Sequence, residues 1–273
     1  MPPKRTLLVV GYGNMAKAIL TQNTYIFEHY QVFISGRHSH KIRSFIQECG
    51  LEKNVEILSV EKGQMDINGK DILLCVKPRG LESFNFMGKA NCVYSVLAGI
   101  NVSNICSKIK AQTYIRLMPN IAAYAKKSAT AVYVQPQDSQ DLSIIQAFIE
   151  SFGNAVMVEN ESLIDASIAT SGSSIAFLAL VAESLIDAGI YEGLTYTQSM
   201  ALVKQTFAGF AQVLEDKTPN ELKYAISSPA GTTIAGLAIL EQEGVSGAIM
   251  KAAHQAVERS LEIGKTLNVI SKG

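Results

Sequence analysis

The sequence predicts an α/β fold: an N-terminal Rossmann-type dinucleotide-binding domain followed by an all-helical C-terminal dimerisation domain. Apolar, β-rich runs alternate with helical segments through the first half. Strand signals almost cease near residue 160, where long apolar helical stretches take over. Between the first predicted strand and helix lies Gly11-Tyr12-Gly13-Asn14-Met15-Ala16, a G-x-G-x-x-A turn.

The predicted strands are Thr6–Val10, Gln31–Ser35, Asp71–Val76, Cys92–Val96 and Thr113–Leu117, with two more at Ala129–Val134 and Ala155–Glu159. Helical segments separate them at Asn14–Gln22, Lys41–Glu48, Val102–Lys110 and about Ser139 to Phe152. Strands this uniformly apolar belong to a parallel sheet covered on both faces. Beyond them, Glu161–Ala188 reads as a helix stopped by Gly189, Thr195–Asp216 as a second and Val245 to about Asn268 as a third. The division therefore falls into a Rossmann-type domain over 1–160 and a helical domain over 161–273. Ile175–Ile186 is apolar on more than one face, so the helices are read as packing across a subunit interface; one deeply buried central helix is the competing reading.

Composition narrows the class. Lysine plus arginine equals aspartate plus glutamate at 24 each, so no global field draws in nucleic acid or an anionic membrane. Four scattered cysteines form no zinc or disulfide spacing and fit a reducing cytosol. The apolar run Leu7–Val10 is too short for a signal segment or a membrane span, which points to a cytoplasmic protein. His38 and His40 form an H-x-H that reads as solvated rather than metal-binding, and His254 as a packing residue; no metal is expected.

In the glycine turn, Gly11 permits the tight bend, Gly13 lets backbone approach a pyrophosphate, and Ala16 keeps the helix against the sheet. An NAD site would carry an acid at the end of the second strand; Ile34-Ser35-Gly36-Arg37-His38 stands there instead. Ser35 and Arg37 can hold a 2′-phosphate, so NADPH is the expected cofactor and NADH the second candidate. Arg37 as a plain solvated turn residue is the competing reading. Val76, Lys77 and Pro78 follow a strand and are expected to line the cofactor groove, as are the small residues Ala98 and Gly99. Later, Ser227-Ser228-Pro229-Ala230-Gly231-Thr232-Thr233 precedes a helix, and hydroxyls with free backbone donors there suit a small carboxylate. An ordinary N-cap accounts for part of that pattern.

At this point the chain resembles the pyrroline-5-carboxylate reductase family. The resemblance rests on Ser227–Glu241 (S-S-P-A-G-T-T-I-A-G-L-A-I-L-E), on Leu163–Ser174 (L-I-D-A-S-I-A-T-S-G-S-S), and on G-Y-G-N-M-A-K-A-I, V-K-P and I-R-L-M-P-N in the family's order. It implies NADPH-dependent reduction of 1-pyrroline-5-carboxylate to L-proline, the last step of proline biosynthesis, by a homodimer that can build larger rings. It further implies NADP-binding positions at Gly11, Tyr12, Gly13, Asn14, Met15, Ser35, Arg37, Lys77, Pro78, Ala98 and Gly99. The substrate loop would be Gly231, Thr232 and Thr233 beside Ser228, with Thr233 bonding the ring nitrogen, and Glu161 would be a substrate-contacting acid. The chain departs from the family pattern at Ser174 and Ile175 (usually Gly and Pro), at Ala230 (usually Gly) and at Ala225 (often polar). A β-hydroxyacid dehydrogenase or imine reductase is the nearest alternative, but it should carry a lysine or aspartate within Ser167–Ala182, which has neither. A non-catalytic NADP-binding sensor is the alternative that the departures suggest.

Overall fold

The computed structural model describes residues 3–60 and 63–270, apart from the side chains of Pro78 and 266–270. It divides into two compact units, Met1–Ser173 with Ala256–Gly273, and Ser174–Gln255.

The first unit is built on β1 (Arg5–Val10), α1 (Asn14–Leu20), α2 (Thr24–His29), β2 (Tyr30–Ser35), α3 (Ser39–Glu48), β3 (Val55–Ile57), β4 (Gln64–Asp66), β5 (Asp71–Leu74), β6 (Asn85–Met87) and β7 (Ala90–Ser95). It continues through α4 (Val102–Lys108), β8 (Ala111–Met118), β9 (Ser128–Gln135), α5 (Leu142–Glu150), β10 (Gly153–Met157) and α6 (Ser162–Ala166). Eight strands form one sheet in the order β10-β9-β8-β7-β5-β1-β2-β3, and β4 pairs with β6 alone. Along β1, Leu7 and Val9 enter one core while Leu8 and Val10 enter the other, which is why the run is continuously apolar.

The sheet is parallel except where β9 runs antiparallel to β8. The link between those two strands holds only a short 3-10 turn, Ile121–Ala125, and a parallel return would need a longer helical crossover. At the foot of the sheet Asp71, fully buried, accepts Nε of Arg5 at 2.7 Å, pinning the start of β1 to the start of β5.

The cut drawn at residue 160 on the change of rhythm is not where the packing divides. α6 stays with the sheet because Glu161 and Asp165 both engage Arg116 on β8, and Asp165 also accepts a bond from Ser260. Residues 256–265 thereby return to the first unit, where Ala256 and Val257 pack on Met118, Ala131, Ile164 and Ile168.

The second unit contains α7 (Ser174–Tyr191), α8 (Tyr196–Val213), α9 (Pro219–Ile226), α10 (Thr232–Gln242) and the first part of α11 (Val245–Ile270). Gly189 does not stop α7. The helix runs on to Tyr191 and ends at Gly193, which takes φ 98°. Gly189 instead lets α8 approach: a Cβ there would strike the Ser199 hydroxyl, which itself donates to Ile186 O at 2.8 Å. The predicted helix before it breaks into α6, a 3-10 turn at Ser167–Ala169 and α7. α9 went unforeseen although it carries a capping box, Thr218 with Glu221, and Pro219 in its first turn.

Apolar side chains stand exposed on every long helix of this unit, among them Leu180, Leu202, Phe210, Ile239 and Met250. By length and composition alone, Ser162–Tyr191 is apolar enough to cross a membrane. His254 is exposed within the chain, so it has no packing role there.

Candidate active site

The register Val10↔Ser35 and Val10↔Leu74 brings the carboxyl ends of β1, β2 and β5 level. β1 is where the strand order reverses, with β2 on one side and β5 on the other, so a crevice must open there. A groove of about 310 Å³ occupies it, lined by the turn Gly11–Gly13, by Gly36, Arg37, His38 and Lys41, and by Cys75, Val76 and Lys77.

The two glycines of the turn serve different ends. Gly11 sits at φ 112°, and a Cβ would lie 2.6 Å from the Cys75 carbonyl carbon, so the protein itself requires glycine. Gly13 begins α1 at φ −89°, and its Cβ would meet only Cys75 O at 3.9 Å. No internal contact demands a glycine there, which leaves close approach by a ligand as the reason for one. α1 has no side-chain cap, so the N–H groups of its first turn, from Asn14 and Met15 onward, are open to an anion. Asn14 is exposed toward an adjoining hollow that also holds Lys17 and Lys41, while Met15 packs on the core.

Three permanent cations, Arg37, Lys41 and Lys77, face the groove, and its described lining contains no carboxylate. Lys41 was not singled out from the sequence. Yet a lysine in the first turn of a helix runs against the helix dipole and has a ready explanation if an anion lies there. Tyr12 lies over Gly36, where a Cβ would be 2.5 Å from the tyrosine ring. Burial pushes the Cys75 thiol up to about 12, so it lines the groove as a small apolar group. Pro78 opens the 3-10 turn Pro78–Ser83, and its side chain lies outside the described residues.

Three predicted cofactor positions also make contacts inside the chain. Ser35 is fully buried, and its hydroxyl donates to Leu58 O at 3.0 Å while its carbonyl accepts from Gly11 N at 2.8 Å. It therefore fixes the turn and does not present its hydroxyl to the groove. Gly99 takes φ 72°, and a Cβ would lie 2.6 Å from Ser260 O and 2.9 Å from Gly264 N. Its smallness admits α11. Ala98 likewise packs in the small cluster around Ile164.

Glu161 is half-buried, accepting the Val102 N–H at 2.6 Å and Arg116 Nη1 at 3.3 Å. Asp165, its neighbour one helical turn on, accepts Arg116 Nη2 at 3.2 Å and the Ser260 hydroxyl at 2.9 Å. Both carboxylates are thus committed to holding α4, β8 and α11 together.

In the second unit, Gly231 occupies the N-cap of α10 with no side-chain cap, leaving the first N–H groups of that helix open. Ser228 and Thr232 are exposed and Thr233 half-buried. Gly231 N bonds Ser228 O at 3.0 Å, closing a tight loop in which a Cβ on Gly231 would strike the Ser228 hydroxyl.

Comparison with known proteins decides the family. A pyrroline-5-carboxylate reductase of Helicobacter pylori (strain J99) is 44% identical over 258 residues, covering 93% of this chain and 98% of that protein. The chain belongs to the pyrroline-5-carboxylate reductase family. The family's dimerisation-domain model matches residues 161–263, so the exposed helices are those of a homo-oligomer. The reductase of a Synechocystis species is 34% identical over 94% of this chain and 97% of its own. The solved 1-pyrroline-5-carboxylate reductase of Streptococcus pyogenes superposes with TM-score 0.81 at 26% identity, over 94% of this chain and 98% of that one. A Plasmodium falciparum pyrroline carboxylate reductase with NADP bound shares the fold, with TM-score 0.74 at 23% identity over 95% and 99% of the two chains.

One residue of the substrate-loop segment is strained: Ala230 adopts φ 55°, left-handed backbone that glycine occupies freely and alanine does not. Ala230→Gly is therefore expected to relieve strain and raise stability by about 0.5 kcal/mol, once the greater freedom of glycine in the unfolded chain is set against the gain. A urea titration at fixed protein concentration checks it; a clear loss of stability would mean that the loop gains more from the alanine methyl than it loses in backbone strain.

Proposed function

We infer that this chain reduces 1-pyrroline-5-carboxylate to L-proline with NADPH, the last step of proline biosynthesis, as a homodimer in the cytoplasm. Near-full-length identity to curated reductases of that reaction carries the inference. The residues present suit the cofactor: a glycine that only a ligand requires, an open helix start, and three cations with no acid among the described residues that line the groove. Gly11 to Met15 would cradle the pyrophosphate, Arg37 with Lys41 would hold the 2′-phosphate, and Val76 to Pro78 would flank the dinucleotide. When bound, the nicotinamide supplies the hydride for the C=N carbon.

The rest falls to the chain. The N–H groups of Thr232 and Thr233 would bind the substrate carboxylate at the start of α10, with the Gly231 N–H holding the loop closed on Ser228 O behind them. The Thr233 hydroxyl would hydrogen-bond the ring nitrogen and keep its proton in place. A cyclic imine that is already protonated needs positioning more than strong acid catalysis. Glu161 would act at one remove, through Arg116 and the start of α4. A second copy would cover the apolar faces of α7, α8 and α10. Four free cysteines suit a reducing compartment.

Oxidation of NADPH by the purified chain, dependent on pyrroline-5-carboxylate and yielding proline, tests the reading. Tight NADPH binding with no such turnover would instead favour a sensor. Thr233→Ala is expected to lower kcat about tenfold or more, as loss of one transition-state hydrogen bond implies. NADPH affinity should stay essentially unchanged, and unaltered turnover would remove Thr233 from the chemistry.

A further inference from the structure

The loop between β7 and α4, residues 96–101, stands at the same edge of the sheet as the glycine turn. The register Leu74↔Ser95 and Ser95↔Arg116 sets the carboxyl ends of β5, β7 and β8 level. A dinucleotide whose adenosine lies toward β2 and whose pyrophosphate crosses the end of β1 carries its nicotinamide half toward β5 and β7. The placement of the loop after β7 therefore bears on where that half can lie.

The loop is tied from behind. Val102 N donates to Glu161 Oε1 at 2.6 Å, and Gly99 N donates to Asp165 Oδ1 at 3.4 Å. Gly99 also backs directly onto α11, where a Cβ on Gly264 would strike Gly99 O. Ser260 of α11 is 4% exposed and donates its hydroxyl to the same Asp165 Oδ1, at 2.9 Å. The other oxygen, Oδ2, accepts Arg116 Nη2 at 3.2 Å. One carboxylate oxygen thus serves the loop and α11 together, and the shorter of its two bonds fixes where it stands. Among the described residues, loss of the Ser260 hydroxyl leaves Oδ1 with the long Gly99 bond alone, and the carboxylate can turn about the oxygen that Arg116 holds.

We propose that Ser260 is a positioning residue for the nicotinamide half of the cofactor, acting through Asp165 on Gly99 N and the loop after β7. The proposal rests on the NADPH reading above. It separates the two halves of the cofactor: the adenosine end, at Arg37 and Lys41 beyond β2, does not depend on this oxygen.

Titration calorimetry of the full chain with NADPH and with adenosine 2′,5′-bisphosphate, the adenosine half alone, tests it. Ser260→Ala should weaken NADPH about five- to tenfold, the worth of roughly one hydrogen bond, and leave bisphosphate affinity unchanged. The emission of bound NADPH, which reports the surroundings of the nicotinamide, should move toward that of the free nucleotide. Val257→Ala, which loosens α11 in its apolar cluster without removing a bond to Asp165, should keep both affinities. A wild-type ratio of the two affinities in S260A would overturn the proposal. An equal loss of both nucleotides in S260A, or a matching loss of NADPH in V257A, would also overturn it, because each marks general loosening of the unit. If the wild type binds neither nucleotide, the NADPH reading itself fails. If it binds both equally well, that reading stands and the proposal falls.

Discussion

Gly11→Ala is expected to abolish measurable NADPH binding and to destabilise the first unit, whereas Gly13→Ala should abolish binding while leaving stability intact. The contrast follows from what each added methyl would meet. At Gly11 it would lie 2.6 Å from a backbone carbon and 2.8 Å from Val76 N, at φ 112°, where an alanine is strained even without a clash. β5 cannot yield without tearing its pairing with β1, so a cost on the order of 3 kcal/mol or more is expected. At Gly13 the methyl makes an ordinary 3.9 Å contact at an ordinary φ, and the folded chain should lose no more than about 0.5 kcal/mol. The methyl would nevertheless stand where a pyrophosphate approaches the open start of α1, so the loss falls on binding and not on folding. Thermal unfolding without nucleotide, paired with fluorescence titration of NADPH, separates the two variants. Full NADPH affinity in Gly13→Ala would show that the turn does not meet the cofactor as proposed.

The second large effect belongs to Arg116, which is 2% exposed and holds two carboxylates. Among the described residues, Arg116→Ala would leave buried Asp165 with the Ser260 hydroxyl and a long bond from Gly99 N, and Glu161 with Val102 N. Removing one member of a buried ion group costs about 3–5 kcal/mol, because the charges left behind stay desolvated. Arg116→Lys should recover only part of this, since a single ammonium cannot present two separate N–H groups to two carboxylates. Urea midpoints at one protein concentration, with the slope of the transition unchanged, measure the loss. A loss under about 1 kcal/mol would mean that water replaces the guanidinium and the network carries little.

Much of the fold was legible because its signals are local. The apolar run Leu7–Val10, the glycine turn and the helix beginning at Asn14 are adjacent in sequence and mutually required. The strands β3, β4 and β6 were not legible, since three residues carry no periodicity and are held by partners elsewhere. Gly189 resembled a terminator because a glycine that admits a neighbouring helix and a glycine that ends its own look alike in one dimension. The same blindness affected the site. Arg37 and Lys77 follow from strand ends, but the burial of Ser35 against Leu58 and the packing of Gly99 on Gly264 depend on residues far along the chain. Lys41 needed only the observation that a cation in a first helical turn is out of place.

The return of α11 to the sheet also bears on how the protein is made. Ser260 and Gly264, which complete the surroundings of Asp165 and Gly99, follow the whole of the second unit in sequence. In synthesis from the N-terminus, all eight strands and Arg116, Glu161 and Asp165 are translated before the last partner of that cluster. The nucleotide-binding unit is begun first and finished last, so its final contacts close a loop as long as the intervening helical unit. Such non-local closure is slow. A nascent chain halted at Gln255 would hold a formed sheet around an unfinished polar seam, the state in which a folding catalyst or chaperone has most to offer.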